Sequence, residues 1–163
     1  MKSRLKTIRK YIEKHTDIAD LGSGKGEYYF GVDLTNKNIV AVDIKDLFLG
    51  HIRWKLPSIK TICRDAKYTG LPDESFDLVI MSEMLEHIQD YELVLKEAKR
   101  ICKDEGYFAI SVPIKNYGHG HIHPVWTENN AKNLADKLGE IIEFVKLRNN
   151  WIIYIKNNEP NKV

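Results

Sequence analysis

The chain of 163 residues has two cysteines, five prolines and a formal net charge of only +2. It has no internal repeat and no low-complexity tract. Cys63 and Cys102 show no paired spacing and follow no secretory signal, which points to a reducing, cytoplasmic setting. No apolar run approaches the roughly 18 residues that a membrane helix needs, so no membrane partner is expected. The near-neutral balance says little about partners. What remains is ordinary globular usage, with 43% hydrophobic and 29% charged residues. The length suits one domain over 1–163, with a basic amphipathic helix within 1–15 and a polar tail at 157–163.

Helix and strand signals alternate along the chain, which predicts an α/β sandwich. Leu5, Ile8 and Ile12 recur at i, i+3 and i+7 and predict the N-terminal helix. Strands are expected at about 17–21, 39–43 and 59–63, with a helix at 46–54 stopped by Pro57. The helix between the first two strands is poorly written, because Gly31, Val32, Asp33 and Thr35 are weak formers, and a short or distorted one is expected. Phe76–Met81 is a continuous apolar run, as in a central parallel strand. A long helix is predicted over 83–103, a strand over 106–112, and a helix over 128–138 with Thr127 as N-cap and Gly139 as its close. The runs 141–147 and 151–156 are separated only by Arg148-Asn149-Asn150 and read as an antiparallel hairpin.

The stretch that carries most information is Asp20-Leu21-Gly22-Ser23-Gly24-Lys25-Gly26, a glycine turn straight after the first strand. Glycines let the backbone approach a ligand closely. A second acid, Asp43, ends the next strand 23 residues after Asp20. A glycine turn with an acid about 20 residues further on is how a doubly wound sheet holds an adenosine-containing cofactor. In a nicotinamide fingerprint the third glycine would fall where Glu27 stands, and a carboxylate there would face a pyrophosphate. Asp20 ahead of the first glycine suits a cationic ligand instead.

This Asp-x-Gly-x-Gly-x-Gly pattern resembles the first motif of the class I S-adenosylmethionine-dependent methyltransferases, of the type 11 kind. Cys63-Arg64-Asp65-Ala66 and Leu71-Pro72-Asp73-Glu74-Ser75-Phe76-Asp77-Leu78-Val79-Ile80 are similar to later motifs of that family, so the likeness covers about 17–155. It implies a Rossmann-like, seven-stranded, mostly parallel sheet of order 3-2-1-4-5-7-6. It also implies S-adenosylmethionine as cofactor, held by Asp20, Gly22, Ser23, Gly24, Asp43, Ile44, Asp65, Ala66 and Ser82. Asp43 would take the ribose hydroxyls and Asp65 the adenine amino group. For either acid alone, a solvated strand end explains its presence as well; order and spacing together favour the cofactor.

Two clusters bear on the acceptor. Ser82-Glu83-Met84-Leu85-Glu86-His87 follows the fourth strand, and on a helix Glu83, Glu86 and His87 would share a face. Two carboxylates and an imidazole there are candidate ligands for Mg²⁺, Mn²⁺ or Zn²⁺. The segment resembles ubiquinone-biosynthesis O-methyltransferases and small-RNA 2′-O-methyltransferases, where Glu-x-x-Glu-His helps hold a divalent ion. Metal-free relatives carry Leu-Glu-His too, with Glu86 or His87 capping or lining the pocket. The second cluster holds His119, His121 and His123, which an extended segment would turn to one side; His121 is the fourth candidate ligand and His123 the next.

Three functions follow as expectations. The first is O-methylation of a small hydroxylated acceptor, with a divalent ion as a candidate aid. The second is methylation of a macromolecule, an RNA ribose or a protein side chain. The third is an inactive cofactor-binding subunit beside an enzyme partner, which the intact turn and acids oppose. The N-terminal helix carries Lys2, Arg4, Lys6, Arg9, Lys10 and Lys14 against Glu13, a face that could follow phosphates but reads more plainly as a solvated surface. Without room for an inserted substrate domain, the cleft is expected to take a small molecule directly or to borrow a surface from a second subunit, a homodimer partner among them, or from a large partner.

Overall fold

The computed structural model describes residues 3–115, 120–123 and 126–158. Helix α1 spans Arg4–Lys14, where the Ser3 side chain caps the first turn by accepting from the Lys6 N–H. Ile8, Tyr11 and Ile12 lie on its buried stripe, and each is 0% exposed. Fully burying side chains of this kind stabilises by about 1.5–3 kcal/mol apiece. That burial explains why so basic a helix sits on the sheet.

The strands are β1 Asp17–Leu21, β2 Asn38–Asp43, β3 Lys60–Cys63, β4 Phe76–Ser82, β5 Cys102–Pro113, β6 Glu140–Lys146 and β7 Asn150–Lys156. They form one seven-stranded sheet in the order β3-β2-β1-β4-β5-β7-β6. β7 runs antiparallel to β5 and β6; the other pairings are parallel. Helices α2 (Asp46–Lys55), α3 (Tyr91–Ile101) and α4 (Glu128–Asp136) complete the layers. α1 and α2 bury their apolar residues on one face of the sheet, and α3 and α4 on the other. No helix among the described residues is long and apolar enough to cross a membrane.

Most predicted elements appear within a residue or two of their expected bounds. The weak helix between β1 and β2 is a three-residue 3-10 turn, Glu27–Tyr29, bounded by left-handed Gly26 and Gly31. The long helix expected over 83–103 is not formed. Glu83 adopts a left-handed φ of 55°, a single 3-10 turn covers Leu85–His87, and α3 starts only at Tyr91. A non-glycine residue in that region breaks the helical path. At the other end the chain runs straight into β5 at Cys102, four residues before the predicted strand.

Candidate functional site

Ligands bind open α/β sheets beyond the carboxyl ends of the strands, beside the point where strand order reverses. Here that point lies between β1 and β4, and a cleft of about 630 Å³ opens there. Its walls hold Gly22 and Gly24 after β1, Asp43 and Ile44 after β2, Asp65 and Ala66 after β3, and Glu83, Met84 and His87 after β4. They include six of the nine residues expected from sequence to bind the cofactor, and Glu83 and His87 of the four expected to bind an ion; Asp20, Ser23, Ser82, Glu86 and His121 are not among them.

The three glycines of the turn have three different tasks. All have positive φ: 67° at Gly22, 54° at Gly24 and 69° at Gly26. A Cβ on Gly22 would lie 2.9 Å from Met84 Cβ and Sδ, so this glycine lets the turn meet the chain after β4. At Gly26 a Cβ would press on Tyr29 and Ile52 at 3.2 Å, so its bareness makes room for packing. Gly24 has no atom within 4 Å of that point and faces open space. That bareness leaves room for a ligand to approach the backbone there.

Asp43 fixes the turn from the side. Its Oδ2 accepts from the Gly24 N–H at 2.9 Å and its Oδ1 from the Lys45 N–H at 2.8 Å. The remaining lone pairs are free for a ligand's hydroxyls. Asp65 accepts from the Lys67 N–H at 2.8 Å and stays partly exposed. Ile44, 67% exposed beside the two acids, offers an apolar surface.

Asp20 differs from its expected role. It is 0% exposed and absent from the cleft walls, and its oxygens accept from Tyr28 Oη at 2.6 Å and Tyr29 Oη at 2.9 Å. Burial pushes its carboxyl up to about 7, against the lowering effect of the tyrosines. Asp20 is thus engaged by the two tyrosines inside the protein and is not exposed on the cleft walls. Ser23 and Ser82 are likewise buried away from the cleft walls.

Beyond β4 an aligned hydrogen-bond chain is visible. Arg4 Nη1 donates to Ser82 Oγ at 3.0 Å, Ser82 Oγ and Ser111 Oγ are 2.9 Å apart, and Ser111 Oγ donates to Glu83 Oε1 at 3.0 Å. Because Arg4 can only donate, the direction runs from Arg4 through Ser82 and Ser111 to Glu83. Glu83 is thus held by tertiary bonds in its left-handed conformation, the kind of local strain that persists where surroundings over-determine it.

The expected helical face of Glu83, Glu86 and His87 is replaced by a different grouping. Glu86, His87 and His121 bring their ligand atoms within 4.8 Å of one another, and Glu83 stands outside that group. Glu86 is 1% exposed, and its Oε2 has no hydrogen-bond partner. Burial raises its carboxyl to about 8, with Glu83 adding to the effect. His87 Nδ1 lies 3.1 Å from the Gly120 carbonyl oxygen and donates to it, which turns Nε2 towards Glu86 Oε1, 3.9 Å away.

The histidines of the second cluster do not all turn one way. The His121 ring meets the His87 ring edge-on at 4.9 Å, whereas His123 donates to the Ile88 carbonyl at 2.7 Å and packs on Tyr91. The Ile122 and His123 N–H groups both donate to the Glu86 carbonyl, so the segment wraps one oxygen and is not an extended strand. His119 lies outside the described residues. Several cations of α1 are engaged internally: Arg4 as above, Arg9 on the Tyr28 carbonyl at 3.0 Å, and Lys10 on Glu143 at 2.7 Å.

Comparison with known proteins bears on the family and the fold. The sequence pattern of the Methyltransferase domain family matches residues 19–110, more than half of the chain. A probable S-adenosylmethionine-dependent methyltransferase of Mycobacterium tuberculosis is 25% identical over 130 residues, 77% of this chain and 46% of that protein. A malonyl-(acyl-carrier protein) O-methyltransferase of Halorhodospira halophila is 26% identical over 133 residues, 77% of this chain and 43% of that one. The chain spans about half the length of the curated relatives it matches. Among solved structures, a SAM dependent methyltransferase from Aquifex aeolicus has a TM-score of 0.78 at 17% identity, over 94% of this chain and 89% of that one. The chain belongs to the methyltransferase domain family, and its fold is that of the class I S-adenosylmethionine-dependent enzymes.

Proposed function

We propose that the protein transfers the methyl group of S-adenosylmethionine to a hydroxyl of a small acceptor, with a divalent ion held by Glu86, His87 and His121. The observation that carries this reading is one cleft joining two chemistries. The glycine turn, Asp43, Ile44 and Asp65 line one part of it and Glu83 and His87 another, and His87 is grouped with Glu86 and His121, which do not themselves line the cleft. The first end suits adenosine, with acids for hydroxyls and Ile44 for an apolar ring face.

When bound, the cofactor supplies a methyl group on a positively charged sulfur, already activated for in-line displacement. What the chain must add is alignment and removal of a proton. Glu83 is the carboxylate suited to that proton: it lines the cleft, and the serine chain occupies Oε1, leaving Oε2 for the acceptor.

The three-residue group fits a divalent ion. Glu86 Oε2 is a buried oxygen without a partner, and His87 offers Nε2 as a ligand atom because Gly120 engages its other nitrogen. Ligand atoms around a zinc ion at about 2.1 Å lie roughly 3.4 Å apart, so the group, within 4.8 Å, would close somewhat around an ion. An ion there would supply orientation and acidification of a coordinated hydroxyl. Two imidazoles favour Zn²⁺ over Mg²⁺.

The test is transfer of a labelled methyl group to a panel of phenols, catechols and polyols, with RNA and protein extract as competing acceptors. Label in a small hydroxylated compound, reduced by chelation and by Glu86→Ala, is the expected result. Label confined to RNA or protein defeats the small-acceptor reading. Activity indifferent to chelation and to Glu86→Ala defeats the ion.

A further inference from the structure

The glycine turn rests on a buried group that never reaches the cleft. Asp20 lies two residues before Gly22 on β1, in register with Ala41 of β2 and Ile80 of β4. Tyr28 and Tyr29, 4% and 1% exposed, come from the 3-10 turn that fills the short segment expected between β1 and β2. Each donates its hydroxyl to a different oxygen of Asp20, and the two rings meet edge-on with centroids 4.9 Å apart. Two neighbouring tyrosines and one carboxylate thus tie the beginning of the turn to its far side. Arg9 of α1 holds the same segment through the Tyr28 carbonyl. Gly26 is bare where a Cβ would press on the Tyr29 ring, so the third glycine of the motif serves this packing.

We propose that Tyr28 and Tyr29 determine cofactor affinity through Asp20, as positioning residues that brace the Gly22–Gly24 turn without touching the ligand. The inference rests on the S-adenosylmethionine reading above, and it replaces a direct attraction between Asp20 and the cofactor's positive charge. The two roles differ in an observable way. A carboxylate acting on the sulfonium charge favours S-adenosylmethionine over the neutral thioether S-adenosylhomocysteine. A brace acts on the backbone that both ligands share, so it changes both affinities together.

Calorimetric titration with each of these two ligands separates the cases without any acceptor. Removing one hydroxyl donor to a buried carboxylate is expected to weaken binding by about tenfold. Tyr28→Phe and Tyr29→Phe should each raise Kd by about that factor for both ligands, with the ratio of the two Kd values kept within about twofold. Asp20→Asn should behave the same way. In the Tyr28→Phe/Tyr29→Phe background, Asp20→Asn should add little, since the partners it served are gone; a general loss of stability would add independently. Melting curves of each variant confirm that folded protein is being titrated, and the single phenylalanine variants carry the test if Asp20→Asn does not fold. The brace is overturned if the folded phenylalanine variants bind like wild type, or if Asp20→Asn weakens S-adenosylmethionine tenfold more than S-adenosylhomocysteine. Wild-type protein that binds neither ligand overturns the cofactor reading itself, and the brace with it.

Discussion

Removal of the Glu97 carboxylate should loosen the adenosine end of the cleft from behind. Glu97 sits on α3 and is 8% exposed. Its Oε1 accepts from the Thr69 N–H at 2.8 Å and from Thr69 Oγ1 at 2.6 Å, and Arg100 closes on both oxygens at 2.7 and 2.8 Å. Thr69 is 1% exposed and belongs to the loop that carries Asp65 and Ala66. In Glu97→Ala the buried Thr69 N–H loses its acceptor, at a cost of about 1–3 kcal/mol, and the guanidinium bonds vanish as well. We expect a total near 3 kcal/mol, which for a domain of this size lowers Tm by roughly 10 °C. The Arg100 hydrogen bonds, with Thr69 assisting, hold the Glu97 carboxyl at about 2, below its ordinary 4.5. A depressed acid contributes stability above the unfolded pKa and loses it as pH falls through the folded one. The margin of wild type over Glu97→Ala should therefore be full at pH 6 and shrink progressively below about pH 4.5. Urea unfolding followed by circular dichroism measures it. A loss under 0.5 kcal/mol, or a margin unchanged down to pH 3, refutes the reasoning.

Other predictions concern the turn and the buried acids. Gly24→Ala should cost about 1 kcal/mol of stability from its positive φ alone, yet weaken S-adenosylhomocysteine strongly, because its new methyl enters open ligand space. Gly22→Ala should lower Tm further, since its Cβ also strikes Met84; equal Tm losses for the two contradict this. Asp20 and Glu86 have folded values near 7 and 8 against 3.8 and 4.5, so ionising them opposes folding and ion-free protein should lose stability between about pH 5 and 8. Burial lowers the value of His15 and acts the other way, but two buried acids outweigh one histidine. Zn²⁺ should reverse the fall at pH 8 in wild type and in Glu83→Ala, but not in His87→Ala or His121→Ala. A melting temperature that rises from pH 5 to 8 without metal, or a Zn²⁺ effect lost in Glu83→Ala, would count against it.

The fold was legible because its signals are local and repeated. Apolar runs that end in an acid mark the strands, and weak helix formers after the glycine turn foretold the short segment between β1 and β2. The site was only partly legible, for reasons that lie in tertiary hydrogen bonds. Periodicity favours a helix from Glu83 onwards, but Ser111, 28 residues later, takes the Glu83 carboxylate and the backbone turns to follow. Alternation would send His121 and His123 the same way, but the Glu86 and Ile88 carbonyls divide them. Asp20 looked like a ligand because of its place in the motif. The signal that corrects this was present in the adjacent pair Tyr28-Tyr29, two buried hydroxyls in need of an acceptor, but only the folded turn shows which one they find.

The most direct test of the account is calorimetric titration of S-adenosylhomocysteine into the wild-type protein and into Asp43→Ala. The account predicts one site in the wild type and an affinity at least about tenfold lower in the variant, which loses the acceptor for Gly24 N–H as well as the group offered to ribose hydroxyls. No binding by the folded wild-type protein, or equal binding by Asp43→Ala, contradicts it.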